Sequence, residues 1–479
     1  MAPVHVEPGQ NVVTSGSPTR AVLRLAMPTV LAMLTQSVVN EIDIVFFSWL
    51  PCPESSNAQA ALLPSLILLW MFGGSLSAIS VGTQAITARR FAEGKLDAAG
   101  GVLVNSWVFS LVAGAVFTAI GYLSLPVILP LIIKVPEVQA AARAYLHWRL
   151  LGIASMAITF SYKAFFDGIG RTYVHMISAI IMNALNVVLC LIFIFGRFGA
   201  PRMGIAGAGF SAFISTWVGL AIMMVWAALP TYRRHHRPFH LGKLDRGVTW
   251  AILRLSIPSA IATIAVMSGF MLFSVIVSTL DSISSVKLVE SGCGGGSPEP
   301  VNSAATTVIV GILKLTFTAC LAFGTSTATL VSQSLGEKNP EKARRFGWVS
   351  VRLGLLIFGV VGLLEGVVFP RQILSLVTES AAVHDAALWP MQVMGVCTPL
   401  IAVGMILTQA LFGAGNSRFV MIVELILHFT CLVPLAWVFG ITFGFGLPGI
   451  WSAAVVYVVL LSSTMTWKFA RGDWASIRI

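Results

Sequence analysis

Residues 23–28 read LRLAMP, and residues 253–258 read LRLSIP. Working outward from this pair, Gly82-Thr83 returns as Gly324-Thr325 and MGIAG at 203–207 returns as FGLPG at 445–449, both at an offset of 242. GIGRT at 168–172 returns as GAGNS at 413–417, at an offset of 245. The opening pair is offset by only 230, and the jump has a visible source: segment 281–302 is longer than its counterpart 51–59. Four short matches in register mark a chain built from two copies of one unit.

The composition says what that unit is made of. Of 479 residues, 57% are hydrophobic and 10% are charged, against roughly 25% charged in soluble proteins. The mean hydropathy is +0.88, which excludes an ordinary soluble chain. Runs of about 20 apolar residues, the length that crosses a bilayer, lie near 24–49, 60–88, 102–125, 138–166, 173–195, 204–229, 249–280, 303–333, 347–369, 385–412, 419–440 and 449–469. Each copy holds six of them, an even number, so both copies enter the membrane in the same sense. The expected fold is therefore all-α integral membrane, with twelve transmembrane helices in two parallel six-helix repeats. The cleft between two such bundles is the natural place for a solute cavity. The expected layout is a polar N-terminal tail at 1–20, a bundle at 21–230, a cytoplasmic linker at 231–247, a bundle at 248–470 and a C-terminal tail at 471–479. Residues 1–20 lack the basic-then-apolar pattern of a cleaved signal. The linker, YRRHHRPFHLGKLDRGV, reads as a solvated connector.

The net charge of +11, from 30 Lys+Arg against 19 Asp+Glu, would suggest a polyanionic partner in a soluble chain. In a membrane protein it reflects Lys and Arg held in cytoplasmic loops. Arg89, Arg90, Lys95, Arg171, Arg233, Arg234, Lys243, Lys338, Lys342 and Arg418 all fall in loops of one side, which places both termini in the cytoplasm. No basic helix or stacking aromatic cluster accompanies the charge, so no nucleic-acid partner is expected.

Charges inside spans are costly and mark candidate sites. Span 1 carries Gln36, Asn40 and Asp43 within about 60° of one another around the helix, while Glu41 points elsewhere. At the offset of 230 the second copy has Phe270, Met271, Leu272 and Phe273 in place of residues 40–43. This one-sidedness points to an ion site in the first half. On span 5, Asn186 and Cys190 reach a comparable depth, and Asn183 shares a face with Asn186. The candidate ion-coupling residues are Asp43, Asn40, Asn183, Asn186 and Glu41. One carboxylate among amides favours H+ over Na+, which needs several hard oxygens; Na+ at Asp43 and Asn186 stays open, as does a buried acid without a transport role. Gln36, Met267, Phe270 and Met271 form a candidate substrate surface, because multidrug cavities use Met and aromatic residues that repack around varied ligands. In the second half, spans 7 and 10 hold only Asp281 and Asp385, at their ends, so no ion site is expected there. Glu424 and His428, four apart on one face, read as a structural hydrogen-bonded pair. Lys314 and Glu365 read as snorkelling or mutually paired. Pro28 and Pro258, at matching positions, should each remove one helical hydrogen bond. Of six cysteines none shows CxxC spacing, which excludes a metal site of that kind; Cys52 and Cys293 fall in matching outer loops.

The opening LRLAMP followed by Asp43 in NEIDIVFF resembles the multidrug and toxic compound extrusion family. So do GTSTATLVSQSLGEKNPEKA at 324–343, the GIGRT and GAGNS turns, and GIAGAG at 204–209. The resemblance runs from about residue 20 to 470. It implies a secondary exporter of amphipathic, often cationic compounds, working by alternating access and driven by inward H+ or Na+ flow. It also implies an Asp one turn after the span 5 Asn; here Cys190 stands in that place. No cofactor and no catalytic residue is implied, and the chain is expected to be a monomer with a small-molecule substrate and a membrane-lipid environment, in the bacterial cytoplasmic (inner) membrane. A lipid-linked saccharide flippase of the same superfamily is the alternative, and its pyrophosphate would need a cationic cavity, for which Lys314, Arg143 and Arg149 are the available residues. An intramembrane enzyme would need an acid cluster, paired aspartates or a Ser/His pair in the spans, and none is present.

Overall fold

The computed structural model describes residues 17–51, 54–133, 135–290, 301–378, 380–477 and 479. Cys52 and Cys293 lie outside the described residues, and with them the question of a disulfide between the outer loops. Among the described residues the chain is helical without strands, as hydrocarbon demands of a chain that is not a closed barrel, because only a helix pairs its backbone within one segment.

The first half runs through α1 (Pro18–Ser48), α2 (Glu54–Phe72), α3 (Ile79–Ala92), α4 (Leu96–Ile132), α5 (Pro136–Leu151), α6 (Ile153–Gly168), α7 (Thr172–Phe195) and α8 (Ile205–Ala228). The short α9 (Pro230–His236) follows, and α10 (Arg246–Glu290) opens the second half. There α11 (Val301–Gly336), α12 (Pro340–Leu363), α13 (Pro370–Val377), α14 (Ala381–Gly413), α15 (Ser417–Ile426), α16 (Val433–Trp437) and α17 (Gly446–Arg471) complete the chain. Among the described residues, eleven helical runs are long and apolar enough to cross a bilayer. The twelfth crossing is α5 with α6, two helices of 16 residues each that Gly152 alone separates. Pro28 and Pro258 sit inside α1 and α10 without ending either helix.

The repeat is written most clearly in the turns. Gly170 and Gly415 both adopt positive φ, 74° and 86°, and close their turns with matched bonds: Arg171 N to Phe166 O, and Asn416 N to Leu411 O. Gly204 and Gly446, at 54° and 63°, are a second such pair. The third pairs Gly94 with Lys338, where a lysine holds the left-handed conformation at φ 57° although a side chain there is strained. In the C-terminal part of α10, Asp281 accepts from Asn302 N, Asn302 Nδ2 and Ser303 N at 2.8–2.9 Å. It thereby satisfies the free N–H groups that open α11.

The described chain divides into two compact units. One comprises residues up to Ala260 with Ser332–Ala343 and Ile479, the other Ile261–Val331 and the described residues from Arg344 to Ile477. In the first unit α7 packs on α1 and α8, α6 on α3 and α4, and α5 on α2 and α8. Small residues allow these close approaches, and hydroxyls tie them: Thr83, Ser106, Ser161 and Ser110 form a buried chain with links of 2.7–2.8 Å across α3, α4 and α6. In the second unit Phe273 and Val277 of α10 share a core with Ile309 of α11, Met394 of α14 and Trp451 of α17.

Segment 231–247 is exposed at most of its positions and is nonetheless anchored. Asn105 on α4 donates to Lys243 O, and its Oδ1 accepts from Asp245 N and Thr249 Oγ1. Lys243 Nζ donates to Asp97 Oδ1 at 2.6 Å and to His236 O. His236, 5% exposed, donates through Nδ1 to Leu96 O at 2.9 Å and sets its ring edge-on to Phe165. A Cβ on Gly100 would lie 1.6 Å from His236 O, so only glycine permits this docking. Gly100→Ala should expel the segment, at a cost of about 1–3 kcal/mol for such overpacking, with hydrogen exchange at 230–245 rising sharply.

Burial pushes the His236 imidazole down to about 4. Its neutral form is the one that docks, so the contribution is complete above the ordinary value of about 6.5 and is lost as pH falls from there towards 4. Protection factors of the same segment, which remove the intrinsic pH dependence of amide exchange, should fall over that window, and His236→Asn should remove the dependence. Unchanged protection factors between pH 7 and pH 4.5 would contradict this.

Candidate functional site

α1 and α7 run the same way and meet in parallel register, which lets residues about two turns apart on each helix pair in sequence order. Asn183 Nδ2 donates to Thr35 Oγ1 at 3.1 Å, and Thr35 in turn donates to Ala32 O at 2.8 Å. Two turns further along, the Cys190 thiol lies 3.7 Å from Asp43 Oδ1 and 3.9 Å from Asn186 Oδ1, so it can donate to either. Asn183, Asn186 and Cys190 are buried, and Asp43 is half-buried. The sequence places Asn183, Asn186 and Cys190 on one α7 face at spacings of three and four, and the structure turns that face towards α1.

A third helix adds a cation. Arg149 of α5 sets its guanidinium 5.7 Å from the centre of the Tyr145 ring, a cation–π contact. Its charge acts on Asp43. Arg149 Nε is buried without a hydrogen-bond partner among the described residues. The local charge is thus one carboxylate and one guanidinium beside a thiol and two amides. Sodium and other hard cations prefer sites that supply several oxygens and net negative charge, whereas a proton needs only one basic oxygen.

Other sequence candidates fall elsewhere. Gln36 is exposed, while its neighbour Thr35 faces α7. Asn40 and Glu41 lie on α1, and their side chains lie outside the described residues. Met267 and Met271 of α10 are 59% and 69% exposed, Phe270 is 37% exposed, and all three belong to the second unit. Phe273, the repeat counterpart of Asp43, is buried with its ring 5.4 Å from Trp451. Glu365 accepts from Thr316 Oγ1 at 2.8 Å. Cys190, Cys320, Cys397 and Cys431 are free and buried. Among the described residues no group of three or more His, Cys, Asp and Glu side chains could hold a metal ion. Thr35, Tyr145 and Arg149 are the additions that sequence reading of the ion site missed. Arg149 alone carried a signal, as a cation inside an apolar run.

The Asn183–Thr35 bond supplies a direct test of the α1–α7 register. Thr35→Val leaves a buried amide without its acceptor, a loss of about 1–3 kcal/mol. Combined with Asn183→Ala it should cost little more than either change alone. Additive losses in thermal melts of the purified chain would show that the two side chains do not interact.

Comparison with known proteins places this geometry. A family model described as MatE matches residues 28–192 and 296–438. The "Probable multidrug resistance protein NorM" of Thermotoga maritima is 25% identical over 471 residues, covering 95% of this chain and 93% of that protein. The "Multidrug resistance protein NorM" of Vibrio vulnificus strain YJ016 is 22% identical, covering 95% of each. Among solved structures, an outward-facing multidrug resistance MATE family transporter of the MOP superfamily superposes with a TM-score of 0.83 at 22% identity, over 98% of this chain and 99% of that one. A MOP superfamily transporter from Pyrococcus furiosus, described as having a binding pocket of reverse polarity, gives 0.84 at 20% identity over 99% of each. These likenesses carry the fold.

Proposed function

The chain belongs to the MatE family, whose members are transporters and not enzymes, and on that premise we propose that it is a secondary multidrug exporter. It exchanges amphipathic, cationic drugs or metabolites for an inward-moving cation by alternating access, with H+ preferred to Na+. The names of its relatives, multidrug resistance proteins, support the cargo class. The observation that carries the coupling is the placement of Asp43, 3.7 Å from the Cys190 thiol on the facing α7.

The chemistry follows from that arrangement. Asp43 is the acid of the site, and its neighbours on α7 are neutral. A sodium ion there would add a second cation beside Arg149 and find one carboxylate, so its binding is weak. A proton removes the carboxylate charge, leaves Arg149 without its counter-charge and alters the electrostatic tie between α5 and α1. That change is the coupling event, and Asn183 and Asn186 keep α7 in place while it happens. Asn40 and Glu41, on the same helix, complete the ion-coupling set; for the cargo, Met267, Phe270 and Met271 supply adaptable apolar contact and Gln36 a polar one. The lipid-linked saccharide alternative would use Arg149 to hold a pyrophosphate, but Arg149 lies over Tyr145 and in the field of Asp43. The exporter is a monomer in the cytoplasmic membrane of a bacterium, with both termini inside.

Purified protein in liposomes decides the matter. With an imposed pH gradient, Asp43→Asn should reduce drug export at least about tenfold, the scale of losing more than 1.4 kcal/mol of coupling; a sodium gradient alone should drive neither protein. Cys190→Asp, which adds a second carboxylate beside the first, should introduce sodium stimulation. Export by Asp43→Asn undiminished at every pH and sodium level would remove Asp43 from the mechanism.

A further inference from the structure

The second unit holds a buried acid and imidazole that the proposed coupling does not use. Glu424 on α15 is 6% exposed and His428 is fully buried. Tyr457 of α17 donates its hydroxyl to Glu424 Oε2 at 3.0 Å, and His428 Nδ1 lies 3.4 Å from that same oxygen. The sequence alone makes these two residues a structural pair, and their surroundings give them a further role.

The tautomer of His428 follows from its partner. Nδ1 is 2.9 Å from Glu424 O, and a carbonyl only accepts, so Nδ1 carries a hydrogen. In the neutral ring Nε2 is then a bare lone pair, and among the described residues it has no hydrogen-bond partner. Such an atom is costly to bury and is open to a proton. A charged ring would sit beside the Glu424 carboxylate, and a protonated Glu424 beside a neutral ring is the other arrangement; either is neutral overall. The pair without that proton carries a bare negative charge inside a span, where charge is expensive. Among the described residues His428 is the ion-pair partner of Glu424. The other titratable groups facing the pair are Tyr457 from α17 and Cys431 on the same turn; α10 presents Gly269 and Phe270, which do not titrate.

Two features of the backbone support a working site. Pro434 has no N–H to give to the carbonyl four residues back, and the helix before it, Leu427–Leu432, widens into a π turn. Such turns free backbone groups and gather at functional positions. The pair is closely packed: a Cβ on Gly269 would lie 2.4 Å from His428 Cδ2, and the Tyr457 ring centre is 4.6 Å from that of His428. At the offset of 245, His428 and Cys431 correspond to Asn183 and Asn186, so the pair occupies in the second repeat the place of the α7 amides in the first.

We propose that Glu424 and His428 form a second proton-binding site, in the C-terminal half of the chain, holding one exchangeable proton on the Glu424 carboxyl beside the neutral His428 ring, with Tyr457 as its fixed donor. The site stands on its own geometry and not on Asp43.

Infrared difference spectra of the full chain in nanodiscs, pH 5 minus pH 9, test it. The unaltered protein should show the C=O stretch of a buried protonated carboxyl that Glu424→Gln abolishes and Asp43→Asn leaves in place. His428→Asn should move the midpoint of that band by about one pH unit or more, as removal of a strongly coupled partner does. Identical spectra for the unaltered protein and Glu424→Gln would overturn the proposal. Should Glu424→Gln fail to fold, Tyr457→Phe, which removes the hydrogen bond but keeps the acid, should raise the frequency of the band; a band that does not move would overturn it equally.

Discussion

A helix that crosses hydrocarbon must pair its own backbone, because an orphaned N–H or C=O there costs several kcal/mol. Several stretches among the described residues show how that cost is met. Span 11 cannot close its ladder before Pro434 and answers with a π turn at Leu427–Leu432. The start of α11 hands its free N–H groups to Asp281. Thr83, Ser106, Ser161 and Ser110 satisfy one another's hydroxyls instead of leaving them in an apolar core. The same constraint makes each remaining buried polar atom informative, and Arg149 Nε and His428 Nε2 are two of those left without a partner among the described residues.

The two halves have spent their polar residues differently on one scaffold. On α1 and α7 the first half carries Asp43, Thr35, Asn183, Asn186 and Cys190. The second half fills the position of Asp43 with Phe273, packed on Trp451, and moves its acid to Glu424 on the counterpart of α7. Repetition of a fold therefore does not repeat its electrostatics. An acid near an arginine and an acid beside a histidine answer differently to protons and metal ions.

Much of the architecture was legible in the amino-acid order. Apolar runs gave the crossings, and glycine-containing turns gave the repeat, because a left-handed turn is demanded by topology and leaves a residue signature. Gln36 shows where such reading stops. It lies 100° from Thr35 around α1, and a helix considered alone does not reveal which of the two faces a neighbour. Arg149 was visible as a cation in an apolar run, but its action on Asp43 depends on α5 lying beside α1, which no spacing encodes. The docking of 231–247 was hidden for another reason: its anchors are backbone carbonyls of Lys243, His236 and Leu96, and carbonyls look alike in every residue.

Lys338 holds a left-handed turn that glycine holds at residue 94, with matched closing bonds from Lys95 to Arg90 and from Asn339 to Ser334. The bend is therefore common to both segments although only one of them places glycine there. Aligning the halves by conformation recovers a correspondence at this position that alignment by residue identity misses.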